Sequence, residues 1–333
     1  MTVLTVGLPL ITSLVSFVFA ALVLEQWRGR RRAFQLVWGL GLVWYGVSAG
    51  TEFWGGAAGW SPGLYRLWYL TGALFVAAYL GAGTVYLLAR TRFGYFAAGS
   101  LLLGGLITLA AAPHYPGSRG VAVAVFAASL AGAVALVAVT AGGRPWTGHV
   151  FMTVLAFGSI AGAGVVLSAA IAPPGWALDA TTHAPVGSAF PGPVRVLSPP
   201  YNIAGAMCLV FGAIFSFYVY MPKRKLLRAR PLPPVARQLY GLAAVAVNLV
   251  ASLPLALSAL ARGRLNSRVP ATTLIALGGF IPGLTSGLER FGVTWSFYLG
   301  QLLGVLLIFA GFLVSEEVFQ RVSARRRTLR ETG

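Results

Sequence analysis

Apolar runs of about 20 residues, the length an α-helix needs to cross a hydrocarbon core of about 30 Å, alternate with short polar segments along nearly the whole chain. Helices suit this environment because they satisfy their own backbone hydrogen bonds where lipid offers none. The pattern predicts an all-α fold, a polytopic transmembrane helical bundle with about nine spanning helices. The predicted spans are 3–24, 34–53, 67–89, 94–112, 119–141, 150–172, 201–221, 270–288 and 295–315.

A tenth apolar stretch, 239–261, is ambiguous, because arginines flank it on both sides and Pro254 interrupts it. Cytoplasmic loops carry an excess of Lys and Arg. If the stretch does not cross, 21 of the 25 basic residues lie on the cytoplasmic side; if it crosses, only 14 do. The count favours a re-entrant or interfacial helix, with the N-terminus outside and a basic cytoplasmic tail at 316–333. Ten crossings remain the alternative.

Composition supports a single integral membrane domain over 1–333. The chain is 57% hydrophobic and 10% charged, with a mean hydropathy of +0.79, which leaves too little polar surface for a soluble domain. The net charge of +18 comes from basic clusters beside the spans. We therefore expect anionic lipid headgroups at the cytoplasmic face as the acidic partner and no nucleic acid. A membrane or cytoplasmic protein partner also remains open.

Two segments align without a gap: LGLVWYGVSAGTEFWG (40–55) and LGGFIPGLTSGLERFG (277–292). Glycine matches arise easily in a chain with 42 glycines, whereas the pairing of Glu52 with Glu289 is notable because the chain has only seven acidic residues. The alignment predicts an internal repeat of helical hairpins. The nine-span topology gives both copies the same orientation, whereas ten crossings would invert the second copy.

Small residues recur at helical spacing within both copies. Glycines four residues apart let neighbouring helices approach closely and gain dispersion contacts in lipid. The glycines predicted to pack helices are Gly46, Gly50, Gly279, Gly283 and Gly287. Packing within the chain is the favoured interpretation, and homodimerisation is the alternative.

The paired glutamates are the best candidate for a ligand site, because each lies near aromatic residues and an arginine. The predicted ligand-binding residues are Glu52, Trp54, Trp60, Tyr65, Arg66, Glu289 and Arg290. If the hairpins pack together, the carboxylates flank an outward-facing pocket. The alternative is that both are interfacial residues in ordinary salt bridges within an aromatic belt.

The sequence does not indicate an enzyme. It lacks the common hydrolase, zinc-protease and nucleotide-binding motifs, and its three histidines are too scattered for a metal or haem site. A single cysteine, Cys208, provides no disulfide framework, so we predict no cofactor and no metal. Asn248 and Gln301 are polar residues within or near apolar segments, where they can hydrogen-bond across helices.

Three stretches carry a resemblance to known proteins: YRLWYLTGALFVAAYLGAGTVYLL (65–88), LSPPYNIAGAMCLVFGAIFS (197–216) and parts of 274–319. Together they resemble a group of bacterial multi-pass integral membrane proteins that has no assigned activity, and 239–261 departs from it as an insertion. The resemblance implies a bacterial inner-membrane location. A looser similarity to the seven-helix membrane modules of bacterial sensors rests on helix number alone.

These observations favour a non-catalytic accessory or ligand-sensing membrane module. The alternative is a small-solute secondary transporter, which the repeat and the Pro282-Gly283 pair favour.

Overall fold

The structure is a computed structural model. It describes residues 6–143, 145–171, 175–178, 185–186, 189–228, 231, 233–262, 268–289 and 296–314. The elements are α1 (Leu8–Arg30), α2 (Ala33–Ala58), α3 (Pro62–Trp68), a π-helix (Tyr69–Phe75), α4 (Val76–Leu87), α5 (Phe93–Ala111), α6 (Arg119–Ala141), α7 (Thr147–Ser168), β1 (Ala177–Leu178), β2 (Pro185–Val186), α8 (Gly192–Arg195), α9 (Ser198–Tyr220), α10 (Pro234–Ala261), α11 (Arg268–Glu289) and α12 (Ser296–Val314).

Seven helical stretches among the described residues are long and apolar enough to cross a membrane. They are Leu8–Arg30, Pro62–Leu87, Phe93–His114, Arg119–Ala141, Thr147–Ser168, Gly192–Tyr220 and Ser296–Val314. The prediction of an all-α, membrane-like bundle is therefore confirmed at this level. Helix α2 is not among the seven, and α10 and α11 hold only shorter apolar helices, Ala243–Ala259 and Val269–Thr285.

The apolar surface is distributed as in a protein surrounded by lipid. Large aliphatic and aromatic side chains point outward, with Phe157 and Ile160 each 72% exposed. In the stretch Pro62–Leu87, by contrast, 67% of the most apolar window is buried, compared with 28% in α6. The stretch formed by α3, the π-helix and α4 therefore lies at the centre of its bundle, and α6 lies at the periphery.

Side-chain hydrogen bonds fasten α4 to its neighbours. The indole Nε1 of Trp38 on α2 donates to the Leu80 carbonyl at 3.0 Å. On the other side of α4, the Tyr79 hydroxyl donates to Ser159 Oγ of α7 at 3.2 Å. Such bonds are favourable inside a membrane bundle, because lipid offers these polar groups no alternative partner.

Two of the glycines predicted to pack helices lie against α1. A Cβ on Gly46 would come within 3.0 Å of the Phe17 ring, and one on Gly50 would lie 3.2 Å from Ser13 Oγ. Ser13 Oγ also donates to the Gly46 carbonyl at 2.8 Å. The absence of side chains at both positions lets α1 and α2 pack closely.

The glycines of α11 differ from one another. A Cβ on Gly279 would lie 3.0 Å from the Leu209 side chain of α9. At Gly283, no atom of the described residues lies within 4 Å of the Cβ position. Gly287 lies in α11, and its surroundings fall outside what the structure describes.

Helices α4 and α9 cross at very short range. At Gly81 of α4, an added Cβ would overlap the backbone of Gly205 in α9. At Gly205, an added Cβ would overlap the backbone of Ala77. The two helices therefore touch backbone to backbone, which only glycine at both positions permits.

The described part of the segment between α7 and α9 forms a packed cap. Strands β1 and β2 pair antiparallel, with Ala177 opposite Val186. Further along, Phe190 and Val194 are almost fully buried. Thr108 Oγ1 of α5 donates to the Val196 carbonyl at 3.1 Å. The described part of this segment thus includes a short hairpin and the small helix α8.

The chain divides into two compact units. One comprises Met1–Gly212 and Leu277–Ile308, and the other comprises Ala213–Ala276 and Phe309–Gly333. The second unit has its own small apolar core of Met221, Ala256 and Val269.

Candidate functional site

Glu52 is a fully buried carboxylate. It lies on α2, six residues before the helix ends, and is only 1% exposed. Ionisable side chains are costly to bury and mark functional positions in membrane proteins. The sequence placed this residue at an outer helix end, and the structure adds that its side chain faces the interior of the bundle.

One indole and one side-chain amide donate hydrogen bonds to the Glu52 carboxylate. Trp68 Nε1 of α3 donates to Oε1 at 2.8 Å, and Gln301 Nε2 of α12 donates to the same oxygen at 3.0 Å. The Tyr45 hydroxyl, two turns earlier on α2, donates to the Gln301 backbone carbonyl at 2.8 Å. We call Tyr45, Glu52, Trp68 and Gln301 the Glu52 junction. It links the consecutive helices α2 and α3 to α12, and the Gln301 to Glu52 bond joins residues 249 positions apart in sequence.

Aromatic rings pack around the junction. Trp60 meets Trp68 edge-on, with ring centroids 5.7 Å apart. A Cβ on Gly55 would overlap the Trp60 ring, so this glycine makes room for it. Tyr65 also contacts Trp68 at a centroid distance of 5.7 Å. Trp60 and Tyr65, both predicted as ligand-binding residues, therefore each contact Trp68, which binds Glu52.

Tyr65 connects the junction to the cap. It is 3% exposed and stacks on Trp176, with centroids 4.9 Å apart and ring planes 9° apart. Phe190 packs on the other side of the cluster, 5.2 Å from Tyr65. The aromatic cluster thus extends from the Glu52 carboxylate to the segment that follows α7.

The remaining predicted residues of the first hairpin lie apart from the carboxylate. Trp54 is 58% exposed and has an edge contact with Phe53. The guanidinium of Arg66 donates from Nη2 to the Ala169 carbonyl at 2.9 Å, at the end of α7. Its Nε is buried and has no hydrogen-bond partner among the described residues. Arg66 therefore joins α3 to α7.

The residues of the second hairpin copy cannot be placed in the same way. Glu289 ends α11, but its side chain falls outside the described residues, as does Arg290. The expectation that Glu52 and Glu289 flank one pocket therefore remains a prediction.

A π-helix begins immediately after Trp68. It runs from Tyr69 to Phe75, and the Val76 N–H donates to the Thr71 carbonyl five residues earlier. π-Helical turns are rare and frequently occur at functional sites. Here the wider turn begins at the residue that follows Trp68, the tryptophan that binds Glu52.

Among the described residues, no group of three or more His, Cys, Asp or Glu side chains is placed so that it could hold a metal ion. His149 Nδ1 lies 3.1 Å from the Tyr86 hydroxyl. This contact joins α7 to α4.

Comparison of the chain with protein-family models, with curated proteins and with solved structures gives no match. The interpretation of the site therefore rests on its own chemistry. A buried carboxylate beside tryptophan rings suits a ligand with a cationic or hydrogen-bond-donating head, because the carboxylate attracts the charge and the ring faces add cation–π attraction.

Proposed function

We propose that this chain is a non-catalytic multi-pass membrane module that senses a small or lipidic ligand at the Glu52 junction. The observation that carries the proposal is that one carboxylate oxygen, on a residue only 1% exposed, accepts hydrogen bonds from both α3 and α12. A ligand that binds this oxygen competes with Trp68 and Gln301. Ligand binding therefore changes the bonds that hold three helices together, which is the differential interaction that a sensor requires.

The ligand pocket in this proposal opens outward, toward the ends of α2 and α11. In the proposal Glu52 and Glu289 supply negative charge, and Arg66 and Arg290 are the basic partners expected for these carboxylates. The Trp60 and Tyr65 rings shield the ligand from water, which strengthens its attraction to the carboxylate.

Ligand response provides the first test. Thermal unfolding in neutral detergent is measured with ammonium compounds and matched neutral isosteres, such as choline and 3,3-dimethylbutanol. We expect an ammonium compound to raise the melting temperature of the wild type while its isostere does not. Glu52→Gln abolishes the shift because a carboxamide carries no charge, and Glu289→Gln weakens it.

The matched control is Glu25→Gln, which alters an exposed glutamate on another apolar helix. It should respond like the wild type. A Glu52→Gln protein that retains the full ligand shift would show that the junction is not the site.

The membrane topology in the proposal has nine crossings, with α10 lying in or re-entering the cytoplasmic interface. Apolar length does not separate α10 from α11, since both contain only short apolar helices. The distribution of basic residues does, because 21 of 25 lie in the cytoplasm when α10 does not cross. We place the protein in a bacterial inner membrane with its N-terminus outside and its C-terminus in the cytoplasm.

Cysteine accessibility tests this topology. Arg264→Cys and Arg326→Cys are expected to react with a membrane-impermeant maleimide only after the cells are opened, whereas Arg119→Cys reacts in intact cells. The native Cys208 is fully buried and gives a low background. Labelling of position 264 in intact cells would instead support ten crossings.

A small-solute transporter is the second candidate, and the proline inside α11 favours it. Pro282 removes one backbone hydrogen bond within α11, three residues before the end of its apolar part Val269–Thr285. Secondary transporters bind substrate where a membrane helix is discontinuous, and the missing hydrogen bond weakens the continuous helix α11 at this position. Substrate-dependent flux in proteoliposomes would favour the transporter over the sensing module.

A further inference from the structure

The segment after α9 is fastened to α10 by one asparagine. Asn248 is 5% exposed, and its Oδ1 accepts from the backbone N–H groups of Leu226 and Leu227 at 2.8 and 2.9 Å. Its Nδ2 donates to the Leu227 carbonyl at 2.9 Å. Asn248 thus binds the backbone of this segment through its side-chain amide, because the backbone N–H and C=O groups of α10 are already hydrogen-bonded within the helix.

Ser252 repeats this arrangement one turn further along α10. Its Oγ accepts from the Arg224 N–H at 2.9 Å and donates to the Asn248 carbonyl at 2.5 Å. Residues at positions i and i+4 lie on the same helix face. One face of α10 therefore holds residues 224–227 in a defined conformation.

This arrangement leaves a cationic groove between the segment and α10. The groove has a volume of about 640 Å³ and is lined by Lys225, Leu227, Arg228 and Asn248. Both cationic side chains are exposed. The backbone at Arg228 is also fixed, because its carbonyl accepts from the Tyr240 hydroxyl at 2.9 Å. The two positive charges thus extend from a backbone held at several points.

The surroundings place the groove at a membrane surface. It follows directly on Gly192–Tyr220, one of the seven stretches long and apolar enough to span. Lys223 lies 5.3 Å from the centre of the Tyr218 ring, a pairing suited to the interface. On the same side of α10 as Asn248 and Ser252, Leu255 is 44% and Val245 37% exposed, so apolar surface accompanies the cations.

We propose that this groove binds the phosphate headgroup of an anionic phospholipid. Arg228 presents a planar fork that matches phosphate oxygens, and Lys225 adds a second positive charge. Leu227 and the exposed aliphatic face of α10 suit the acyl chains, which inorganic phosphate does not have. The proposal deepens the expected contact of the basic inner face with lipid, because it assigns that contact to one groove.

Native mass spectrometry in a neutral detergent tests the proposal on the full chain. The probes are short-chain phosphatidylglycerol, short-chain phosphatidylcholine and inorganic phosphate. We expect one phosphatidylglycerol to bind more tightly than phosphatidylcholine, and a large excess of phosphate to compete weakly. Lys225→Ala combined with Arg228→Ala should weaken phosphatidylglycerol binding ~30-fold, since each cation that contacts the headgroup lowers the dissociation constant by a factor of about 5 to 6 and the two factors multiply.

The matched control removes the same charge from the same segment: Lys223→Ala combined with Arg224→Ala should leave binding within about twofold, as neither side chain lines the groove. Asn248→Ala keeps every cation but releases the segment, and it should weaken binding as well. Equal losses in both double variants would overturn the site in favour of diffuse charge attraction. Tight binding of phosphate without lipid would overturn the lipid as its occupant.

The outcome is separable from that of the Glu52 junction. The groove variants are read by lipid binding and the Glu52 variants by ligand-induced melting shifts, so either proposal can fail alone.

Discussion

Replacing Glu52 with alanine is expected to lower the free energy of unfolding by about 3 kcal/mol, because it leaves two buried donors without their acceptor. Trp68 Nε1 and Gln301 Nε2 both donate to Glu52 Oε1. At this depth water cannot easily replace the lost oxygen, since the side chain is only 1% exposed. Thermal unfolding in detergent, followed by tryptophan fluorescence, measures the change.

Two further variants show whether the hydrogen bonds are the cause. Glu52→Gln retains a carbonyl oxygen for both donors and should cost no more than about 1 kcal/mol. Glu25→Ala removes an exposed glutamate and should change stability by less than about 0.5 kcal/mol. A Glu52→Ala protein that melts like the Glu25→Ala control would disprove the structural role of the junction.

Replacing Gly205 with alanine is the second change with a large expected effect, a loss of about 3 kcal/mol in the free energy of unfolding. The new methyl group would overlap the backbone of Ala77. Backbone atoms cannot move aside as a flexible side chain can, so α4 and α9 must separate along their crossing. Gly81→Ala adds a methyl group to the same crossing from the side of α4. The losses of stability in Gly81→Ala and Gly205→Ala should therefore not add fully in the double variant.

Gly99→Ala is the matched control for this crossing. It makes the same chemical change within α5, where nothing in the described part of the chain lies within 4 Å of the Cβ position. Alanine also favours helix over glycine, so the variant should be at least as stable as the wild type. Equal melting temperatures for Gly205→Ala and Gly99→Ala would mean that the close crossing does not contribute to stability.

The periodicity of apolar residues was sufficient for the spanning helices that are long and uniformly apolar, such as α6. Helix α2, predicted as a span over 34–53, is present over Ala33–Ala58 but is not among the stretches apolar enough to cross, because tryptophan, tyrosine, glycine and Glu52 interrupt its apolar residues. Residues of that kind occur where a helix packs against others, so the features that lower its hydropathy are the ones that bury it. The count of nine spans consequently remains a prediction.

The candidate site was predictable only in part. Glutamate is rare in so apolar a chain, which made Glu52 a candidate from the sequence. Trp60 and Tyr65, its aromatic neighbours in sequence, both contact Trp68 in the structure. Trp68 carried no such signal, because an indole near the start of an apolar run is ordinary at a membrane interface. Gln301 was identified as a residue able to bond across helices, but its partner lies 249 residues away.

The sequence alone determined that the chain is a helical membrane protein, because the length and polarity of its segments follow from the thickness of the bilayer and the cost of unpaired backbone groups. Tertiary structure alone decided which polar groups meet. It turned Glu52 inward to Trp68 and Gln301 and placed Gly81 against Gly205. It also laid residues 224–227 along Asn248 and Ser252. These contacts depend on how helices cross, and crossings are set by the fit of side chains from distant segments, which no local pattern records.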